Sequence, residues 1–132
     1  MVKDFEFKNV EFVGYQDPTH YYERASILVL TSDYEGFPLV LNECMFFGVV
    51  PVVFGSFASV YDIIDDELNG FVISKKNDDF DVLAMVDKLK LIMSDTQLLK
   101  KMSLLAMEKS STFSINVVYE EWMTNLNRVL SK

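Results

Sequence analysis

Glu35 and Glu43 stand with seven residues between them inside Ser32-Asp33-Tyr34-Glu35-Gly36-Phe37-Pro38-Leu39-Val40-Leu41-Asn42-Glu43, directly after the apolar run Ile27-Leu28-Val29-Leu30. The run reads as a strand and Glu35-Gly36-Phe37 as a turn. Pro38, with its fixed φ, suits the first helical position, and Leu39 to Phe47 continue the helix. At 1.5 Å of rise per residue Glu43 begins only about 7 Å inside that helix, and helical side chains lean back toward the N-terminus, so its carboxylate reaches the mouth. The mouth presents unpaired backbone N–H groups and the positive end of the helix dipole, which suits a phosphate; a carboxylate beside it suits sugar hydroxyls. Together they describe a nucleotide-sugar site. Taken singly, a Glu early in a helix is most often a solvated residue favoured by the dipole, and Glu35 a polar turn residue. The arrangement carries the argument: a strand, a Gly-containing turn past its C-terminal end and a Pro-started helix are where open α/β sheets bind ligands.

The surrounding pattern supplies the elements that must position these residues. Val10 to Val13 reads as a short strand, Pro18 to Arg24 as a helix, Ile27 to Thr31 as a strand, Pro38 to Phe47 as the acid-bearing helix, and Val50 to Phe54 and Gly70 to Ile73 as further strands. Strands alternating with helices predict an α/β fold, a parallel sheet with helices on both faces and right-handed crossovers. Gly48 suits a C-cap and Asn69-Gly70 a turn. From Asp79 onward only helices are expected. Phe80, Leu83, Val86, Leu89 and Met93 form one apolar stripe, Leu98, Met102 and Leu105 a second, and Val118, Trp122, Leu126 and Val129 a third. Ser94 with Gln97 reads as a capping box and Ser114 as the cap of the last helix. All three stripes are expected in the core rather than around a cofactor.

With 132 residues, half of them apolar, the chain is long enough for one core and too short for a two-domain enzyme. A net charge of −8 argues against non-specific nucleic-acid binding. The lone Cys44 lies on an apolar helix, where a packed small hydrophobe is expected, and a reducing cytoplasm fits. Met1 to Lys8 shows no signal-peptide core, and no apolar run nears a membrane span. Asp62, Asp65, Asp66 and Glu67 lack His or Cys partners and read as a solvated helix end rather than a metal site. His20 reads as a helix-surface or loop residue.

The order of motifs resembles the retaining glycosyltransferases of GT-B fold, family four. Gly14 after Val10-Glu11-Phe12-Val13, Tyr21-Tyr22 before Ala25, Ile27 to Thr31, Glu35-Gly36-Phe37-Pro38, Leu41-Asn42-Glu43-Cys44-Met45, Gly48, Pro51-Val52-Val53 and Asn69-Gly70-Phe71-Val72 carry it over nearly the whole chain. The resemblance implies a partial Rossmann-like GT-B C-terminal domain, followed by C-terminal helices, that binds a nucleoside-diphosphate sugar. Glu43 would bind the donor ribose, and Glu35 would lie near the transferred sugar and orient it as the catalytic residue. Backbone around Gly36, Phe37, Pro38, Leu39 and Val40 would meet the sugar and pyrophosphate, although Pro38 has no N–H of its own. Helix-end N–H groups would act in place of a metal, no cofactor is called for, and the leaving phosphate would serve as base.

Two departures stand out. Cys44-Met45-Phe46-Phe47 is bulkier than the family's usual small residues, and the family's earlier strands, Arg/Lys pair and acceptor-binding N-terminal domain are not in this chain. The implied acceptor is a glycan or glycolipid met through that N-terminal domain, with the complete enzyme peripheral to the inner membrane face and the isolated chain inactive. A non-catalytic nucleotide-sugar-binding or interaction module of the same fold is the alternative. A phospho-acceptor receiver domain ranks last, because Asp17 stands alone and no late Lys follows a fifth strand. With two family strands missing, Val10 to Val13 is expected to cover the edge of Ile27 to Thr31, giving the order Val10, Ile27, Val52, Phe71; a homodimer lending that edge is the runner-up.

Overall fold

The structure, a computed structural model, describes residues 8–77 and 79–131; the charged and aromatic stretch over 1–7 lies outside the described residues. Three parallel strands form the sheet, β1 (Ile27–Leu30), β2 (Val50–Phe54) and β3 (Phe71–Ile73), in the order β1-β2-β3. Val29 pairs with Val52, and Val52 with Phe71. All five residues of β2 are buried, as a parallel strand covered on both faces demands. Alternate residues feed two cores. Val53 and Val72 join Leu41, Cys44 and Met45 of α2 (Leu39–Phe46) and Val60 and Ile63 of α3 (Val60–Ile63) on one face. Val50, Val52, Phe71 and Ile73 meet Met85 and Ile92 of α4 (Val82–Ser94) and Met102 of α5 (Thr96–Ser111) on the other. The α/β class with helices on both faces is therefore as expected.

The fourth strand is not there. Val10 to Val13 is exposed and pairs with nothing in the sheet. Its last carbonyl accepts from the Gln16 side chain at 3.2 Å, and Gly14 at φ +67° turns the chain away. Among the described residues the outer side of β1 has no strand partner, and Val29 is 45% exposed. The expected order Val10, Ile27, Val52, Phe71 thus reduces to its last three members.

Before its last helix, the C-terminal half departs from expectation in three places. A two-stranded antiparallel hairpin, β4 (Lys75–Lys76) with β5 (Asp79–Phe80), precedes the helices. On α4 the buried residues are Met85 and Ile92, with Ala84 and Leu89 partly covered, whereas Leu83 and Met93 are exposed. Leu83 lies about 200° around the helix from Met85, so the face that meets the sheet excludes it. Asp95, not Ser94 with Gln97, caps α5: its carboxylate accepts from the N–H groups of Gln97 and Leu98 at 3.0 and 2.9 Å. A carboxylate at the positive helix end outcompetes a hydroxyl, and Ser94 donates to Leu91 within α4 instead.

The third stripe is not core. No residue of α6 (Ile115–Leu130) is buried, and Trp122 is 65% exposed. Ser114 occupies its N-cap position in an extended conformation without a side-chain cap bond. No described helix is long and apolar enough to cross a membrane.

The acidic stretch is more engaged than a solvated helix end. Asp65 pairs with Lys109 at 3.0 Å, Asp66 accepts from the Val72 N–H at 2.9 Å, and Glu67 pairs with Lys88 at 2.6 Å. The Lys88 ammonium holds the Glu67 carboxyl below its ordinary range. Asn69, buried, accepts from the Asp65 N–H and donates to the Asp65 carboxylate. These bonds tie the α3–β3 loop to α4 and α5.

Candidate functional site

The turn after β1 is held by the loop after β2. Ser56 donates to the Ser32 carbonyl at 2.8 Å and Ser59 to the Gly36 carbonyl at 2.9 Å. Glu35 is half-buried within this turn. Beside Gly36 an added Cβ would meet nothing within 4 Å, so the backbone there is open to an approaching group. Phe37 lies with its ring centroid 5.9 Å from that of Phe113. Pro38 is the N-cap of α2 and not its first residue, because its ψ of 85° is not helical although its φ of −77° is. Leu39 opens the helix with its N–H bonded to the Phe37 carbonyl at 2.9 Å, and Val40 packs against the core.

Glu43 is exposed one turn into α2, and its side chain borders a groove of about 680 Å³. One wall is Asp17, Pro18 and Thr19, leading into α1 (Thr19–Tyr22). Asn42, Phe46 and Phe47 of the α2 segment form another, and Ser110, Ser111 and Ser114, at the junction of α5 and α6, close the third. Asp17 accepts from the Thr19 N–H at 2.9 Å and hydroxyl at 2.7 Å, and these bonds lower its pKa. The Tyr22 hydroxyl donates to Glu43 Oε2 at 3.5 Å. Burial, and then the Glu43 charge, push the Tyr22 phenol up to about 12, so it remains a donor at neutral pH. Directly behind, Cys44 is fully buried and donates its thiol to the Leu41 carbonyl at 3.2 Å; burial raises its pKa to about 12, which makes it a packing residue.

Of the residues marked in the sequence, Glu43 borders the groove, whereas Glu35, Gly36, Phe37, Pro38, Leu39 and Val40 belong to the turn and helix start and are not among its lining. Tyr22, Asn42 and the three serines were missed as site residues. Asn42 carries the clearest signal, a polar residue between Leu41 and Glu43 on an otherwise apolar helix; its Oδ1 is buried without a protein donor. Chemically, the groove offers two carboxylates, a phenol, an amide and hydroxyls beside the rings of Phe46 and Phe47, a set that fits a polyhydroxylated ring.

Comparison with known proteins gives the family. Residues 3–108 match the family described as Glycosyl transferases group 1. An uncharacterized glycosyltransferase of Haemophilus influenzae is 34% identical over 106 residues, 80% of this chain and 29% of that protein. A Campylobacter jejuni N-acetyl-D-galactosaminyltransferase, named for an undecaprenol-diphosphate-linked acceptor, is 30% identical over 115 residues, 86% of this chain and 31% of its own length. The GtfA/B complex superposes with a TM-score of 0.80 at 21% identity, covering 90% of this chain and 24% of that one. The chain therefore spans under a third of the length of these relatives. The match over residues 3–108, on a three-stranded parallel sheet with the acid-bearing helix after its edge strand, shows that the chain belongs to the glycosyl transferases of group 1.

Proposed function

We propose that this chain is the donor-binding part of a retaining family-four glycosyltransferase that moves a hexose from a nucleoside-diphosphate sugar to a glycan or glycolipid acceptor. The observation that carries the reading is Glu43: one turn inside α2, its carboxylate borders a groove large enough for a nucleoside. The ribose hydroxyls donate to Glu43, and the diphosphate extends toward the helix start, where backbone N–H groups and the dipole favour it. Glu35, in the turn fastened by Ser56 and Ser59, orients the transferred sugar.

In the reaction, the bond from the anomeric carbon to the diphosphate oxygen breaks and its electron pair leaves with the nucleoside diphosphate. The acceptor oxygen bonds to the same face of the anomeric carbon, and its proton passes to the leaving phosphate. The oxocarbenium-like state between is stabilised by the donors around the departing oxygens. The acceptor is met through a domain outside this chain, and where it is a glycolipid the complete enzyme works at the inner face of a membrane.

Titration of the 132-residue chain with UDP and GDP, followed by NMR, tests the reading. Millimolar binding with shifts clustered at Tyr22, Glu43 and Phe47 is the expected result, and no sugar transfer without the remainder of the enzyme. Binding of neither nucleotide, or shifts elsewhere, overturns it.

A further inference from the structure

We infer that Tyr22 is a positioning residue for Glu43, holding one carboxylate oxygen so that the other faces the ribose; the inference rests on the donor-site reading above. The geometry is specific. Tyr22 is the last residue of α1 and only 7% exposed, yet its hydroxyl lies 3.5 Å from Glu43 Oε2 at the wall of the groove. Its ring lies beside that of Phe47, at a centroid distance of 5.9 Å, and at the start of α1 the Asp17 carboxylate accepts from the Thr19 N–H and hydroxyl. A glutamate on an exposed helix face otherwise samples several rotamers, and ordering it on each binding event costs affinity.

A carboxylate has about four acceptor positions. One bond from Tyr22 leaves enough for a vicinal diol, so the phenol restrains Glu43 without competing for its ligand. At 3.5 Å the contact is long for an O–H···O bond, so it restrains the carboxylate only loosely. Burial keeps the phenol protonated, so the role persists across the neutral range.

The test is Tyr22→Phe in this chain, which keeps the ring against Phe47 and removes only the donor, titrated by NMR with UDP and GDP and with their 2′,3′-dideoxy counterparts. The expected result is a rise in Kd of about fivefold for the nucleotide that binds and little change for its dideoxy form. Combining Tyr22→Phe with Glu43→Ala should add nothing to Glu43→Ala alone. An unchanged Kd in Tyr22→Phe beside a weakened Glu43→Ala overturns the positioning role and leaves the donor site standing. An equal loss for ribose and dideoxy ligands assigns Tyr22 to packing and also overturns it. Should Glu43→Ala itself bind like the wild type, the donor-site reading falls and takes the inference with it.

Discussion

Ser59 donates its hydroxyl to the carbonyl of Gly36 at 2.9 Å, so the loop that leaves β2 fastens the turn that leaves β1. The neighbouring bond from Ser56 to Ser32 does the same one step nearer the strand. Each bond is worth about 1 kcal/mol. With both hydroxyls removed, Ser56→Ala/Ser59→Ala in the complete enzyme is expected to lose turnover several-fold while its thermal midpoint falls by only a few degrees, since Glu35 is no longer held in place. Full activity in the double variant would show that other contacts set the turn.

Glu43→Ala and Glu35→Ala should part company kinetically. In the proposed site, loss of Glu43 removes charge-assisted bonds to the ribose worth up to about 1.5–3 kcal/mol each and is expected to raise the KM for donor. Loss of Glu35, proposed to orient the transferred sugar, is expected to lower kcat. Steady-state kinetics on the complete enzyme separates the two, and identical profiles would refute the division of roles.

Gly48→Ala is expected to destabilise the domain strongly. Its φ of +76° costs an L-residue about 1–2 kcal/mol, and a Cβ there would stand 2.7 Å from Ser103 Oγ, which donates to the Gly48 carbonyl at 2.7 Å. Displacing that hydroxyl also loosens α2 against α5. Urea unfolding should show a lower midpoint at unchanged slope.

Cys44 is expected to resist thiol reagents at pH 8 in the folded chain and to react on unfolding, because burial pushes its thiol up to about 12 from an ordinary 9.0. The sign of the linkage follows. Between about 9 and 12 the unfolded state has lost this proton and the folded state keeps it, so the Cys44 contribution falls as pH rises through that window. Rapid labelling of the native chain would contradict the buried placement.

The outer side of β1 is a row of backbone groups without a strand partner among the described residues, with Val29 exposed beside it. Such an edge invites pairing with a second copy. The isolated chain is expected to form a homodimer through this edge in sedimentation experiments, and Val29→Lys to return it to monomer. A wild-type chain that is monomeric at high concentration would remove the dimer.

What was legible in the sequence were the features whose causes are local. Val50 to Phe54 is a strand residue for residue, since an unbroken apolar run between Gly48 and Gly55 has few other uses in an α/β chain. The acid-bearing helix ends one residue earlier than expected, at Phe46 with Phe47 as its C-cap, and Gly48 directly after takes the left-handed φ that favours glycine there; Glu43 stands one turn inside the helix. Only the tertiary structure decided the rest. Val10 to Val13 had the composition of a strand, but a strand exists through its partner's hydrogen bonds, and Gly14 and Gln16 took the chain elsewhere. Val118, Trp122, Leu126 and Val129 had the period of a core stripe; periodicity shows that a helix has an apolar face and is silent on what covers it, and here the described chain leaves it exposed. The meeting of Tyr22 with Glu43 belongs to the same class. Their 21-residue separation carries no periodic signal, and they come together because β1 runs between α1 and α2 and lays both helices beside one groove.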